Sequence, residues 1–443
     1  MAKKIKIATV GMFSSFTLKT LLIFFCLLIF EGSLQAPSSL GNELERKEEM
    51  VNFESKTITG DWNGSRTRLF EQGVHLELEY FGDMFSIVSG GLSQETDYSG
   101  LLEIKLHLDG EKFFGWQGSQ FFIFGIGTHG KDFKENVGSV HDVSNLVAPD
   151  TFKFFEFWYE QSFLEDRFSV LFGLYDLNSE FDVRPTAQLF INGTFGIGLD
   201  ISQSGQNGPS IFPTTSLATR IRIQPVPRFY YLGAILDGVP GDPNNPNGTR
   251  LDLDDDDGLL LTQEIGYEPQ TVEIGLNKTG LGGWLYTTDL DDLSQVDVNG
   301  NPVKHSGTYG IYFFVDAALY LENSSNSRGL FSFFRIGIAE AETNKVDFYL
   351  DSGLVYRGLF PERPDDQIGL GVSLARFSDG FKEKQKQDQV LIEDTEVLLE
   401  LTYKYEMGPG FSLQPDFQYL FNPALAKGAD NAISIGFRLA LEF

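Results

Sequence analysis

Glu180, Asp182 and Arg184 stand at alternate positions near the start of the 176–215 connection, and Arg220 and Arg222 follow just beyond it. A guanidinium is planar, keeps its charge at every relevant pH and offers a fork of donors, whereas a carboxylate only accepts. Such a set can bridge neighbouring hydroxyl groups of a solute. Arg335 and Arg357 extend the donor supply, and Glu160 adds an acceptor. Trp158 shares the period-two face of Glu156 and Glu160, and Tyr312 that of Asp316, so each could offer a ring face beside polar groups. The competing reading is that these Arg and acidic residues pair with one another to satisfy a polar interior. The rings would then be packing or girdle residues.

Other chemistry is sparse. Asp252, Asp254 and Asp256 fall in an aspartate run before Gly258 and suggest calcium, but Asp257 and Gln263 stand where an EF-hand loop needs glycine and its closing acid. His75, His107, His129, His141 and His305 show no ligand spacing. A Gly-x-Ser-x-Gly nucleophile elbow is lacking, and no cofactor is implied. Cys26, the single cysteine, lies in an apolar run near the N-terminus.

The elements that must position these side chains announce themselves by alternation. From Ile433 to Phe443 the odd positions are Ile433, Ile435, Phe437, Leu439, Leu441 and Phe443, while Ala432, Ser434, Gly436, Arg438, Ala440 and Glu442 interleave with them. Successive side chains of a strand point to opposite faces, so this strand faces two different solvents. Sixteen such segments run from 74–86 to 430–443. They predict an all-β, 16-stranded antiparallel transmembrane β-barrel with a short N-terminal helical lead-in. Connections after odd strands are mostly long. Those after even strands include Leu164-Glu165-Asp166, Pro225-Val226-Pro227, Glu268-Pro269-Gln270 and Gly408-Pro409-Gly410, all turn-sized. By parity Arg220, Arg222, Arg335, Arg357 and Arg438 point inward, as do Glu77, Glu79, Glu103, Glu156, Glu160, Asp347, Asp351, Glu400 and Asp416. The 176–215 connection is too long for a structureless surface loop and is expected to fold into the lumen and narrow it.

The compartment follows from the N-terminus. Lys3, Lys4, Lys6 and Lys19 precede the apolar run Leu21 to Phe30, and Ser33-Leu34-Gln35-Ala36 offers a cleavage point. Residues 1–36 are read as a signal peptide, 37–73 as a periplasmic segment with a short helix, and 74–443 as the outer-membrane barrel. The apolar run is too short to span a bilayer as a helix. Aromatics make up 14% of the chain, with 41 Phe and 16 Tyr, which suits the girdles flanking a lipid-facing band. A formal charge of -28 argues against nucleic-acid binding.

The residues also resemble the OprB family, the carbohydrate-selective porins of bacterial outer membranes, over roughly 58–443. The likeness rests on Gly60-Asp61-Trp62 with Arg66, Trp158-Tyr159-Glu160-Gln161, Asn178-Ser179-Glu180-Phe181-Asp182 and Gly283-Trp284. Val355-Tyr356-Arg357-Gly358-Leu359, Ala375-Arg376-Phe377, Glu400-Leu401-Thr402-Tyr403 and Leu413-Gln414-Pro415-Asp416-Phe417-Gln418-Tyr419 continue it in order. Departures are Asn63, in place of a glycine, and Gly410, in place of an aromatic. The resemblance implies passive, carbohydrate-selective diffusion of glucose-like sugars through a water-filled barrel, with outer-membrane lipid around it. Association into a homo-trimer stays open. Selectivity is then expected of Glu180, Asp182, Arg184, Arg220 and Arg222. A porin that is non-selective or serves other solutes is the alternative. An outer-membrane hydrolase would need a Ser and a His to converge at one rim, and a secreted polysaccharide-binding β-protein would extract without detergent.

Overall fold

The computed structural model describes residues 53–251, 253, 254, 256–322, 328–390, 392–423 and 430–443. The expected signal peptide and the lead-in up to residue 52 lie outside them. Sixteen antiparallel strands form one closed barrel in which each strand pairs with its sequence neighbours and the first pairs with the last. They are β1 Val74–Gly91, β2 Thr96–Asp109, β3 Ser119–Gly130, β4 Thr151–Phe163, β5 Phe168–Tyr175, β6 Ser216–Val226, β7 Phe229–Asp237 and β8 Leu259–Tyr267. The second half holds β9 Gly275–Val296, β10 Pro302–Leu321, β11 Gly329–Ala339, β12 Val346–Arg357, β13 Gln367–Phe377, β14 Thr395–Gly408, β15 Phe411–Phe421 and β16 Asp430–Glu442. No helix among the described residues is long and apolar enough to cross a membrane.

Alternation is realised at the closing strand. Ala432, Ser434 and Ala440 are buried on the inner face, while Ile435 and Phe437 are 47% and 40% exposed on the outer one. The seam runs from Glu79 opposite Glu442 to Ile87 opposite Ser434. Beyond the ladder, Phe443 N donates to Leu78 O at 2.8 Å, and Ile58 N of the lead-in donates to Glu442 O at 2.8 Å. The lead-in helix Ser65–Glu71 is held by Asp61, which accepts from Thr67 N at 2.7 Å and Thr67 Oγ1 at 2.8 Å. The Gly60-Asp61-Trp62 motif is therefore a helix-entry device.

Two departures from strict alternation re-aim side chains. At the β3–β4 ladder Phe155 is an extra residue between the Gly125/Phe154 and Phe124/Glu156 pairs, so the inner face passes from Lys153 and Phe155 to Glu156 and Trp158. A second irregularity between Val346 and Phe348 leaves Asp347 bonded to Arg376 at 2.8 Å, off the inner face. Parity had assigned Asp347 to the lumen; the bulge shifts the count by one. A third difference concerns the β9–β10 connection, which is a protruding hairpin in place of a loop. Its tip is closed by Asp297, whose Oδ1 accepts from Asn299 N at 2.8 Å and Asn301 N at 2.9 Å.

Large rings lie flat over glycines of the neighbouring strand on the inner wall. A Cβ on Gly282 would fall 2.2 Å from Tyr312, one on Gly310 2.5 Å from Trp284, and one on Gly280 2.5 Å from Phe314. The rings fill the holes that missing side chains leave, and so thicken the wall without projecting into the lumen. Gly282→Val forces Tyr312 out of its seat and should cost about 1–3 kcal/mol. Its expected signature is a lower temperature for loss of the unheated gel mobility.

Candidate functional site

An irregular segment inside a barrel must find partners for its backbone N–H groups, and here the wall supplies carboxylates for them. Glu264 on β8 accepts from Asp182 N at 2.8 Å, and Asp316 on β10 accepts from Thr186 N at 2.7 Å. Glu400 on β14 accepts from Ile191 N at 2.7 Å and Asn192 N at 3.1 Å. Two arginines complete the attachment from opposite sides. Arg184 of the loop pairs with Asp351 on β12 at 2.5 Å, and Arg335 on β11 reaches loop residues Asp182 at 2.7 Å and Asp200 at 2.6 Å. Apolar contacts back this up. Leu177, Phe181, Ile197 and Ile201 pack on Trp284, Tyr286 and Tyr312, and Phe190 and Phe195 pack on Phe333.

A second inward loop, residues 131–150, was not anticipated. His141 Nδ1 lies 2.7 Å from Glu396, Ser144 Oγ donates to Asp83 at 2.6 Å, and Arg438 bonds Asp83 at 2.8 Å and Asn145 Oδ1 at 2.6 Å. The two loops also bind each other. Asn145 N donates to Ile191 O at 3.0 Å and Asn192 Nδ2 to Asp142 O at 3.1 Å. The available sequence signal was the pair of inward acids Asp83 and Glu396.

These contacts divide the expected site residues. Asp182, Arg184, Arg335 and Tyr312 are essentially inaccessible, between 0% and 1% exposed. Their charges are consumed between loop and wall, and the Tyr312 hydroxyl is spent on Glu264 at 2.6 Å. For these four, direct solute contact gives way to holding the loop. Arg357 sits apart, its guanidinium 4.5 Å above Phe331. The remaining five converge. Arg220 Nη1 lies 3.0 Å from Glu160 and its Nε 2.6 Å from Glu180, Arg222 lies 3.6 Å from Glu180, and Trp158 Nε1 donates to Glu156 at 3.1 Å. Side chains of Glu160, Glu180 and Arg222 keep 16%, 19% and 33% exposure. Together they form a polar lip with one indole beside it, able to exchange weak hydrogen bonds with a passing solute.

Other candidates resolve differently. Ser139 and His141 do converge, but both donate to the same Glu396 oxygen, and the His141 Nε2 that would activate a serine has no partner and is buried. This is a structural knot and not a nucleophile with its base. Asp254 and Asp257 close a turn on each other, Asp257 N donating to Asp254 O at 3.1 Å; Asp252 lies outside the described residues. No group of three or more metal-ligating side chains occurs among the described residues, so the calcium reading gains no support.

A closed sixteen-stranded barrel narrowed by inward loops defines a porin, a channel through the bacterial outer membrane. The family model described as "Carbohydrate-selective porin, OprB family" matches residues 93–443, and the chain belongs to that family. Porin B of Pseudomonas aeruginosa is 27% identical over 446 residues, spanning 93% of this chain and 97% of that one. The putative porin QuiX of Acinetobacter baylyi is 22% identical over 451 residues, covering 94% and 99%. Among solved structures, the high-pH form of Pseudomonas putida OprB superposes with a TM-score of 0.78 at 24% identity, over 88% of this chain and all of that one.

Two predictions follow the loop contacts. Asp351→Ala strands the buried Arg184 charge, costs about 3–5 kcal/mol and should release the loop, seen as a larger and noisier single-channel current. The second concerns Asp142, whose pKa is pushed up to about 7 by burial and the nearby Asp132 charge. An acid raised in the folded state contributes stability that is complete below its unfolded value of about 3.9 and is lost as pH rises through its folded value. Asp142 has φ +62°, which asparagine tolerates, and its Oδ1 accepts from Val143 N at 2.7 Å, a bond an amide oxygen keeps. Asp142→Asn should therefore flatten the fall in thermal stability across roughly pH 4–8, measured by the gel-mobility transition.

Proposed function

We propose that neutral sugars of glucose size cross this barrel by passive diffusion and are favoured at the lip of Trp158, Glu160, Glu180, Arg220 and Arg222. The observation that carries this reading is Arg220 held between Glu160 and Glu180, with Arg222 and Trp158 left partly open beside it. An indole suits the apolar ring face of a sugar, and a guanidinium flanked by carboxylates offers donors and acceptors to adjacent hydroxyls. Because each group already has a protein partner, a sugar exchanges bonds and gains little net energy. Weak binding of this kind lets a solute leave as readily as it enters. Arg357 is a secondary contact. Assembly as a homo-trimer belongs to the same reading and is open to chemical cross-linking in detergent.

Liposome swelling with the purified protein is the direct test, with sugars expected to outpace amino acids and organic anions of equal size. Equal rates would make the pore non-selective. Trp158→Ala should weaken sugar block of the ion current by about 2–10-fold, the equivalent of one aromatic contact. Arg222→Ala should act in the same direction, and unchanged block in both variants would remove the lip from the sugar path.

A further inference from the structure

One lysine on the inner wall has no partner. Lys278 stands on β9 in period-two step with Gly280, Gly282 and Trp284, on the face that the rings of Phe314 and Tyr312 cover. It is 8% exposed, yet among the described residues its ammonium makes no ion pair and donates no hydrogen bond. Arg184, Arg220 and Arg335 are also buried, and each is matched by carboxylates. Glu264 on the neighbouring β8 cannot do the same for Lys278. Its Oε1 accepts from the Tyr230 hydroxyl at 2.7 Å, and its Oε2 accepts from Asp182 N at 2.8 Å and the Tyr312 hydroxyl at 2.6 Å. The lysine is nevertheless not sealed in. Enclosed polar atoms without a partner include Trp284 Nε1 and Tyr286 Oη but not Lys278 Nζ, so the tip of the side chain opens on the lumen.

That tip lies beside the lip. The ring of Tyr230 on β7 has the Arg222 guanidinium 5.6 Å and Lys278 Nζ 5.8 Å from its centroid. Arg222 is loosely held, 3.6 Å from Glu180. The other Glu180 oxygen already accepts from Arg220 at 2.6 Å and from the Tyr175 hydroxyl at 2.7 Å. Positive charge is therefore in surplus on this side of the lip. A buried charge that the protein leaves unanswered is costly, and a solute anion arriving there recovers part of that cost.

We infer that Lys278 is an anion subsite beside the lip, which takes the carboxylate of a sugar acid such as a hexuronate while Trp158, Glu160 and Arg222 engage its ring face and hydroxyls. The inference rests on the lip being the sugar path and adds a second class of solute to it. A lone ammonium is a point charge that imposes no bidentate geometry, so the carboxylate is free to turn until the hydroxyls meet the lip. A monoanion suits the site better than a dianionic phosphate ester, because Glu160 and Glu180 stand close by and the chain carries a formal charge of -28. An organic anion without hydroxyls meets Lys278 alone and forgoes the rest.

The test is block of the single-channel ion current by glucose, glucuronate and cyclohexanecarboxylate, with the full-length protein in planar lipid bilayers. Glucuronate should block at a concentration roughly 3–10-fold lower than glucose, the gain of a charge-assisted over a neutral hydrogen bond. That ratio should fall to about one in Lys278→Met or Lys278→Gln, persist in Lys278→Arg, and shrink as salt is raised from about 0.1 M to about 1 M. Glucose block with a wild-type ratio of one or less would overturn the inference and leave the lip standing. Loss of block by neither solute in the wild type relative to an impermeant control, meaning no block by glucose or glucuronate at all, would remove the lip and the subsite together. Equal loss of block by both sugars in Lys278→Met and Lys278→Gln would make the lysine a structural support of the lip and overturn the subsite. Cyclohexanecarboxylate blocking as well as glucuronate would mean that charge alone is read, and would overturn it too.

Discussion

Everything in the lumen depends on one constraint: an irregular loop placed inside a barrel must find acceptors for its N–H groups, and the inner wall must present them at the right height. Glu264, Asp316 and Glu400 do this from β8, β10 and β14, while Arg184–Asp351 and Arg335–Asp182–Asp200 fasten the loop at its bend. Each backbone donor left unpaired there would cost about 1–3 kcal/mol, so the carboxylates matter more for what they satisfy than for the charge they carry. The buried ion pairs add little net stability against an apolar replacement, but once present neither partner can be removed cheaply. They make one loop position much better than its neighbours.

The wall is adapted to receive that loop. Seating Tyr312 over Gly282 and Trp284 over Gly310 keeps bulky rings flat, which leaves space for Phe181 and Ile201 to pack on them. On the other side of the lumen the 131–150 loop rests on Asp83 and Glu396 and meets the first loop through Asn145 and Asn192. Between these attachments Trp158, Glu160, Arg220 and Arg222 of the lip are carried by strands β4 and β6, and Glu180 joins them from the first turn of the 176–215 loop.

Much of this was legible from residue order because a strand has only two faces. Arg220, Arg335 and Glu400 were assigned inward by counting, and each is inward. Counting failed at Asp347, where one extra residue reversed parity, and it would have failed beyond Phe155 had Glu156 not been counted with Trp158. Bulges leave no dependable mark in a single sequence, since they arise from how two strands twist against each other. The inward course of 176–215 was legible from length. The equally inward course of 131–150 was missed because a loop of moderate length on the outer rim needs no special explanation.

Facing inward and being reachable are different properties, and this is where sequence and tertiary structure part. Alternation, charge and turn residues determined a barrel, its strand number, its membrane and the side on which the strand arginines lie, because those depend on local periodicity. Which arginines meet solute depends on what covers them. Arg335 and Arg222 read alike along the chain, yet the loop buries one against Asp182 and Asp200 and leaves the other a third exposed at the lip. Only the path of a segment more than a hundred residues away from Arg335 decided that, through contacts no local pattern encodes.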